Sequence, residues 1–192
     1  MMKEMMEQPK AAELTIMSRI KNGDIVFDET DLTKERLAGF DRIVITACGS
    51  ASYAGQAARY MIEKLLRIPV EVDLASELRY SDPVVNEKTL LIVISQSGET
   101  ADTIAAMKEC KKRGAYVLSI VNVVGSTIAK LSDDVLYTRA GPEIAVATTK
   151  GYTTQLAVLY LFAVYAAKVL GKIADEEYKK YISELCGLPK IM

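Results

Sequence analysis

Between residues 42 and 138, short β-branched runs alternate with longer amphipathic stretches, and this rhythm restricts the fold more than any other feature of the chain. The runs at 42–47 (RIVITA), 70–74, 90–95 (LLIVIS), 116–121 and 135–138 read as strands. Helical patterns lie between and after them, at roughly 52–66, 99–113, 126–131, 149–170 and 175–185. A strand, a helix and another strand in succession imply a right-handed crossover and a parallel sheet covered on both faces. The expected architecture is a three-layer αβα sandwich around a five-stranded parallel sheet. The 90–95 run is the most continuously apolar and should be central, whereas 70–74 alternates apolar with acidic residues and should be an edge.

At 192 residues the chain suits one well-packed domain. Residues 1–40 read as a helical arm packing on a domain formed by 41–192. Within the arm, Pro9 opens the second of two helices, and Leu14, Met17 and Ile20 share one face. Asn22-Gly23 reads as a stop signal, and 25–40 as a connector holding a short helix.

In a doubly wound sheet, ligands bind beyond the carboxyl ends of the strands, where the winding reverses. Three polar segments fall there. Ser95-Gln96-Ser97-Gly98-Glu99-Thr100 leaves the most buried strand and enters a helix, so its amides and the helix dipole attract an anion. Hydroxyls of Ser95, Ser97 and Thr100 and the Gln96 amide add donors, and Gly98 lets backbone come close. A helix cap at Ser97 and Thr100 is the competing reading. The absence of a GKS or GKT sequence argues against a triphosphate loop. Cys48-Gly49-Ser50-Ala51-Ser52 offers serine hydroxyls at another strand end, or a serine-capped βα loop. Glu143 to Lys150 (EIAVATTK) precedes the long helix, and there Lys150 assists an anion or pairs with Glu143.

Composition narrows the chemistry. The chain has no histidine, and its three cysteines, Cys48, Cys110 and Cys186, are far apart with no CxxC pair. That excludes a Cys/His zinc site, suits reduced thiols in the cytoplasm, and removes the commonest general acid–base. Without a histidine partner Cys48 is a small apolar residue rather than a nucleophile. Charges are interspersed with a net of −1, so neither nucleic acid nor an anionic membrane is an expected partner. The longest apolar run, 156–167, falls short of the roughly 20 residues of a membrane span, and the first residues hold no signal-peptide stretch.

Taken in order, these motifs resemble the sugar isomerase (SIS) domain family, and within it the isomerase region of the glutamine–fructose-6-phosphate aminotransferases. Lys3-Glu4 with Glu7-Gln8-Pro9 is similar to the start of that region, Cys48-Gly49-Ser50 to its Cys-Gly-Thr-Ser turn, and Ser76-Glu77-Leu78-Arg79-Tyr80 to its Ser-Glu-Phe-Arg-Tyr segment. SQSGETAD at 95–102 matches its phosphate loop without change, and the stretch from Glu143 to Leu156 resembles E-I-x-V-A-S-T-K-x-F-T-T-Q-L. The resemblance implies a flavodoxin-like winding. It also implies a hexose 6-phosphate held by Ser95, Gln96, Ser97 and Thr100, by Ser50 and Ala51, and by the Val146-Ala147-Thr148 backbone. Alanine at 51 departs from the family serine and loses a hydroxyl. The resemblance implies that the family's proton-moving glutamate, ring-opening histidine and active-site lysine lie beyond this first subdomain, so no catalytic residue is expected in this chain. No cofactor or metal is implied. The resemblance further implies a piece of a longer enzyme, with a glutaminase domain before it and a second SIS subdomain after it, and a homodimer. A self-contained isomerase, with Glu77, Glu99 or Glu143 as base, and a non-catalytic sensor are the alternatives.

Overall fold

β-branched and leucine residues dominate the strands because both faces of a parallel sheet are covered. The computed structural model describes residues 1–28 and 30–192, so the expected 25–40 connector is seen except at Glu29, which lies outside the described residues. In chain order the elements are α1 (Met2–Met6), α2 (Gln8–Met17), β1 (Ile20–Lys21), β2 (Asp24–Ile25), α3 (Lys34–Ala38), β3 (Arg42–Ala47), α4 (Ser50–Leu66), β4 (Val70–Leu74) and α5 (Ala75–Leu78). They continue with β5 (Thr89–Ser95), α6 (Ala101–Lys112), β6 (Tyr116–Val121), α7 (Thr127–Leu131), β7 (Asp134–Tyr137), α8 (Lys150–Val169), α9 (Asp175–Gly187) and a 3-10 turn at Leu188–Lys190.

The five long strands form one sheet in the order β4-β3-β5-β6-β7, every pair parallel. The expected winding is therefore present, with β5 in the middle and β4 at an edge. Winding reverses between β3 and β5, whose registers run from Arg42 opposite Thr89 to Ala47 opposite Ile94. Alternation sorts the strand side chains into two cores. Ile43, Ile45, Leu90, Ile92, Ile94, Leu118 and Ile120 pack with α4 and α8, while Val44, Leu91, Val93, Val117 and Val121 pack with α5, α6 and α7. Among the described residues, no helix is long and apolar enough to cross a membrane. The 156–167 run lies instead within α8, buried on nearly all sides as expected.

The arm departs from expectation in two ways. First, α2 buries Ala11, Ala12, Thr15 and Ile16 rather than the Leu14 and Met17 face. Leu14 and Met17 are each 48% exposed, and Ile20 belongs to β1. Small residues let α2 lie close against its neighbours, and apolar periodicity registers side-chain size more strongly than depth. Second, Asn22-Gly23 is a hairpin turn between β1 and β2, both residues having positive φ, and not simply a stop. Outside the arm, α5 follows β4 directly, where no helix was expected. The arm joins the main core through Ile16, Ile25, Phe27, Leu32, Leu37 and Phe40, and the Tyr178 hydroxyl of α9 accepts the Ile25 N–H at 2.8 Å.

Candidate functional site

A cavity of about 240 Å³ opens beyond the carboxyl ends of β3 and β5. Three loops converge on it: Cys48, Ser50 and Ala51 after β3; Ser95, Gln96, Ser97 and Thr100 after β5; and Glu143, Ala145, Val146 and Thr148 before α8. Of the nine residues expected at the site, Ala147 stays out of the wall and is exposed. The other eight are brought together. Ile94 and Gln155 complete the lining.

The loop after β5 is organised by its own hydroxyls. Ser95 Oγ, buried, accepts from the Gly98 N–H at 3.0 Å and lies 3.3 Å from Thr100 Oγ1. Ser97 Oγ accepts from the Glu99 N–H at 3.2 Å, which leaves its own proton to donate outward. Ser97 is not the helix cap. The cap position is Thr100, whose side chain makes no cap bond, and the first helical bond runs from Ile104 N to Thr100 O at 2.9 Å. The amides of the first turn of α6 consequently have no partner within the helix.

Gly98 does a different job from the expected approach to an anion. It does not line the cavity; it is buried with φ +67°, and a Cβ there would meet Ser126 Oγ at 2.1 Å and Ser126 Cβ at 2.5 Å. The missing side chain lets the loop press against the start of α7. Gly98 O accepts from Ile128 N at 3.0 Å, and Glu99 Oε1 accepts from Thr127 N at 2.6 Å. Hydrogen bonds from Thr127 hold the Glu99 carboxyl below the usual range. Glu99 is outside the cavity wall and is tied to α7, so it is poorly placed as a base.

The third loop also rearranges the expected charges. Glu143 does not pair with Lys150. Its Oε1 accepts the N–H of Thr149 at 2.8 Å and of Gly151 at 3.2 Å, and its Oε2 the Thr148 hydroxyl at 2.7 Å. The carboxylate occupies the positive end of α8, where an external anion would otherwise go. Lys150 is buried and bonds Glu7 of the arm at 2.6 Å. Among the described residues no Lys or Arg lines the cavity, so the β5–α6 loop offers an anion only amides and hydroxyls. Val146 has a fully exposed side chain and can offer a ligand its backbone.

Cys48 is half-buried in the wall, its sulfur 3.6 Å from Thr103 Oγ1, with no base beside it. Gln155 was not anticipated. It is 3% exposed, its Oε1 has no protein partner, and the same is true of Gln96 Oε1. Two incompletely satisfied amides in one wall are groups that a polyhydroxylated ligand could complete. Gln155 lies in the stretch from Glu143 to Leu156 that carries the resemblance, but its helical pattern alone gives no sign of this role. Among the described residues, no cluster of His, Cys, Asp or Glu could hold a metal ion.

Comparison with known proteins fits this geometry. The family model described as SIS domain matches residues 36–165. Glutamine–fructose-6-phosphate aminotransferase (isomerizing) of Clostridium tetani is 52% identical over 190 residues, which is 98% of this chain and 31% of that protein. The Caldanaerobacter subterraneus enzyme of the same name is 55% identical over 190 residues, again 98% of this chain and 31% of the relative. The chain thus spans about a third of the length of these curated relatives. The C-terminal domain of glucosamine-fructose-6-phosphate aminotransferase from Francisella tularensis superposes with a TM-score of 0.94 at 40% identity, covering 98% of this chain and 54% of that one. Glucosamine-6-phosphate deaminase from Thermotoga maritima shares the fold at a TM-score of 0.71 and 22% identity, covering 98% of this chain and 53% of its own.

Proposed function

Because the chain belongs to the SIS domain family, we propose that its cavity binds a hexose 6-phosphate and that the chain is the phosphate-holding half of the isomerase region of a glutamine–fructose-6-phosphate aminotransferase. The observation that carries this reading is the convergence of three polar loops on one cavity at the winding reversal. The phosphate sits against Ser97, Thr100 and the first-turn amides of α6, where hydroxyl protons and the helix dipole face it. The sugar extends toward Ser50, the Gln96 and Gln155 amides, and the backbone of 145–148. Ser95 braces the loop from below, and Ala51 contributes backbone without a hydroxyl.

Nothing in this wall moves a proton. Glu143 is engaged by four donors, Glu99 accepts from the first amide of α7, and Glu77 is exposed and outside the cavity wall, accepting from Ser76. A self-contained isomerase therefore lacks a base here. Enolisation at C1–C2 falls to a second subdomain, while this chain fixes the phosphate so that remote binding energy positions the reacting carbons. The cavity volume of 240 Å³ is below the roughly 300–1,000 Å³ of ordinary ligand pockets, which suits a site closed by another surface. A homodimer is part of the reading, supported by exposed Tyr53 and Tyr60 on one face of α4. So is a cytoplasmic location, on the strength of its free cysteines.

Calorimetric titration with fructose 6-phosphate, alongside a coupled isomerase assay, tests this. Weak binding without turnover is expected, and Ser97→Ala and Thr100→Val should each weaken binding by about 1–3 kcal/mol. Turnover by the purified chain, or no heat at millimolar ligand, refutes it. Sedimentation of a persistent monomer at high concentration refutes the dimer.

A further inference from the structure

The segment 141–149, which contributes Glu143, Ala145, Val146 and Thr148 to the cavity wall, adopts no regular structure. Hydrophobic burial does not hold them either: Ile144 is 90% exposed and Val146 is 103% exposed. Polar bonds at three points fix the path. At its start, Gly141 O accepts from the Asn122 side chain at 2.8 Å. At its end, Glu143 grips the first turn of α8. The middle is held from 140 residues away: Glu4 Oε1, in α1, accepts the N–H of Ile144 at 2.6 Å and of Ala145 at 3.2 Å.

We propose that Glu4 is a positioning residue for the sugar-facing wall, so that 143–148 has its binding geometry only while α1 is docked. This deepens the hexose-phosphate reading and rests on it. Glu4 is 7% exposed, and those two amides hold its carboxyl below the ordinary range, so it is an ionised acceptor at neutral pH. Two further bonds anchor the arm to α8 at the same place: Glu7 to Lys150 at 2.6 Å, and the Thr153 hydroxyl to Gln8 Oε1 at 2.6 Å. The docked arm and the wall are consequently one polar assembly. Among the described residues, the hydrogen bonds of Glu4 go to Ile144 and Ala145 and none reaches the 95–100 loop, so its effect should divide the ligand in two. The sugar end depends on it and the phosphate end does not. Linkage makes the coupling reciprocal, so a bound sugar phosphate should also protect α1.

The test compares the wild-type chain with Glu4→Ala and Glu4→Gln, the latter keeping an amide oxygen as acceptor. Hydrogen exchange is read at Ile144 and Ala145, and calorimetry uses fructose 6-phosphate and inorganic phosphate as separate probes. Glu4→Ala is expected to speed exchange at both amides and to weaken fructose 6-phosphate about tenfold with inorganic phosphate unchanged, while Glu4→Gln recovers most of both effects. Unchanged exchange at both amides in Glu4→Ala overturns the proposal, as does an equal loss of the two probes. If the wild type binds neither probe, the hexose-phosphate reading has failed, and exchange alone still decides whether Glu4 fixes the wall.

Discussion

Alanine in place of Gly98 tests whether the loop after β5 is shaped by its contact with the next βα loop. Two costs add. An L-residue at φ +67° pays about 1–2 kcal/mol for the left-handed conformation. The new Cβ would lie 2.1 Å from Ser126 Oγ and 2.5 Å from Ser126 Cβ, and Ser126 is buried, so overpacking adds roughly 1–3 kcal/mol. A total near 2–5 kcal/mol corresponds to a fall in melting temperature of roughly 4–20 °C for a domain of this size. The contributions separate in a double-mutant cycle with Ser126→Gly. Ser126 Oγ has no partner and makes no cap bond, so that change alone should cost only a few tenths of a kcal/mol. In the Ser126→Gly background the clash disappears and the φ cost remains, so about 1–2 kcal/mol of the Gly98→Ala penalty should persist. Urea unfolding of the four proteins gives the coupling directly. A Gly98→Ala chain as stable as wild type, or a penalty unchanged when Ser126 is glycine, refutes the argument.

Other expectations follow from single groups. Gln155→Leu removes a buried, unpartnered carbonyl, so thermal stability should hold or rise by up to about 1 kcal/mol while fructose 6-phosphate affinity falls; lost stability with intact affinity contradicts this. The carboxyls of Glu63 and Glu99 are held low by hydrogen bonds centred on the Val70 N–H and on Thr127. Such groups bind protons less readily folded than unfolded, so the urea midpoint should be flat from about pH 6 to 8 and decline below about pH 4.5 as these carboxylates protonate. A midpoint that rises on acidification is the contrary result. Burial pushes the Cys110 thiol from 9.0 up to about 11, so its stabilising share is present below pH 9.0 and is lost as pH rises toward 11. At pH 8, iodoacetamide should label half-buried Cys48 and Cys186 before Cys110, and rapid native labelling of Cys110 contradicts its placement.

The strands were legible because burial on two faces leaves a continuous β-branched run, as in LLIVIS, and because β4 carries its edge position in alternating acids. The loops of the candidate site were legible as polar segments at strand ends, which the sheet brings to one cavity, although Ser95 and Ser97 also hold their own loop together. Partner choice was not legible. Glu143 and Lys150 are seven residues apart and oppositely charged, yet one takes the helix amides and the other takes Glu7, because the folded arm brings a second carboxylate to the same helix end. Nothing local announces a contact between Glu4 and residue 144. The inward face of α2 was misjudged for a similar reason, since Ala11 and Ala12 are valuable there for being small against a helix the local pattern does not see.

The position of α8 near the end of the chain has a consequence for biosynthesis. It covers the sheet face formed by Ile43, Ile45, Leu90, Ile92 and Ile94, yet β5 ends at Ser95 and α8 at Val169. At roughly 5–20 residues per second, a ribosome leaves that face without its lid for roughly 4–15 seconds. During that interval the emerging strands are adhesive, and the yield of native protein should depend on holdase chaperones or on pauses in translation placed after, rather than before, the codons of α8.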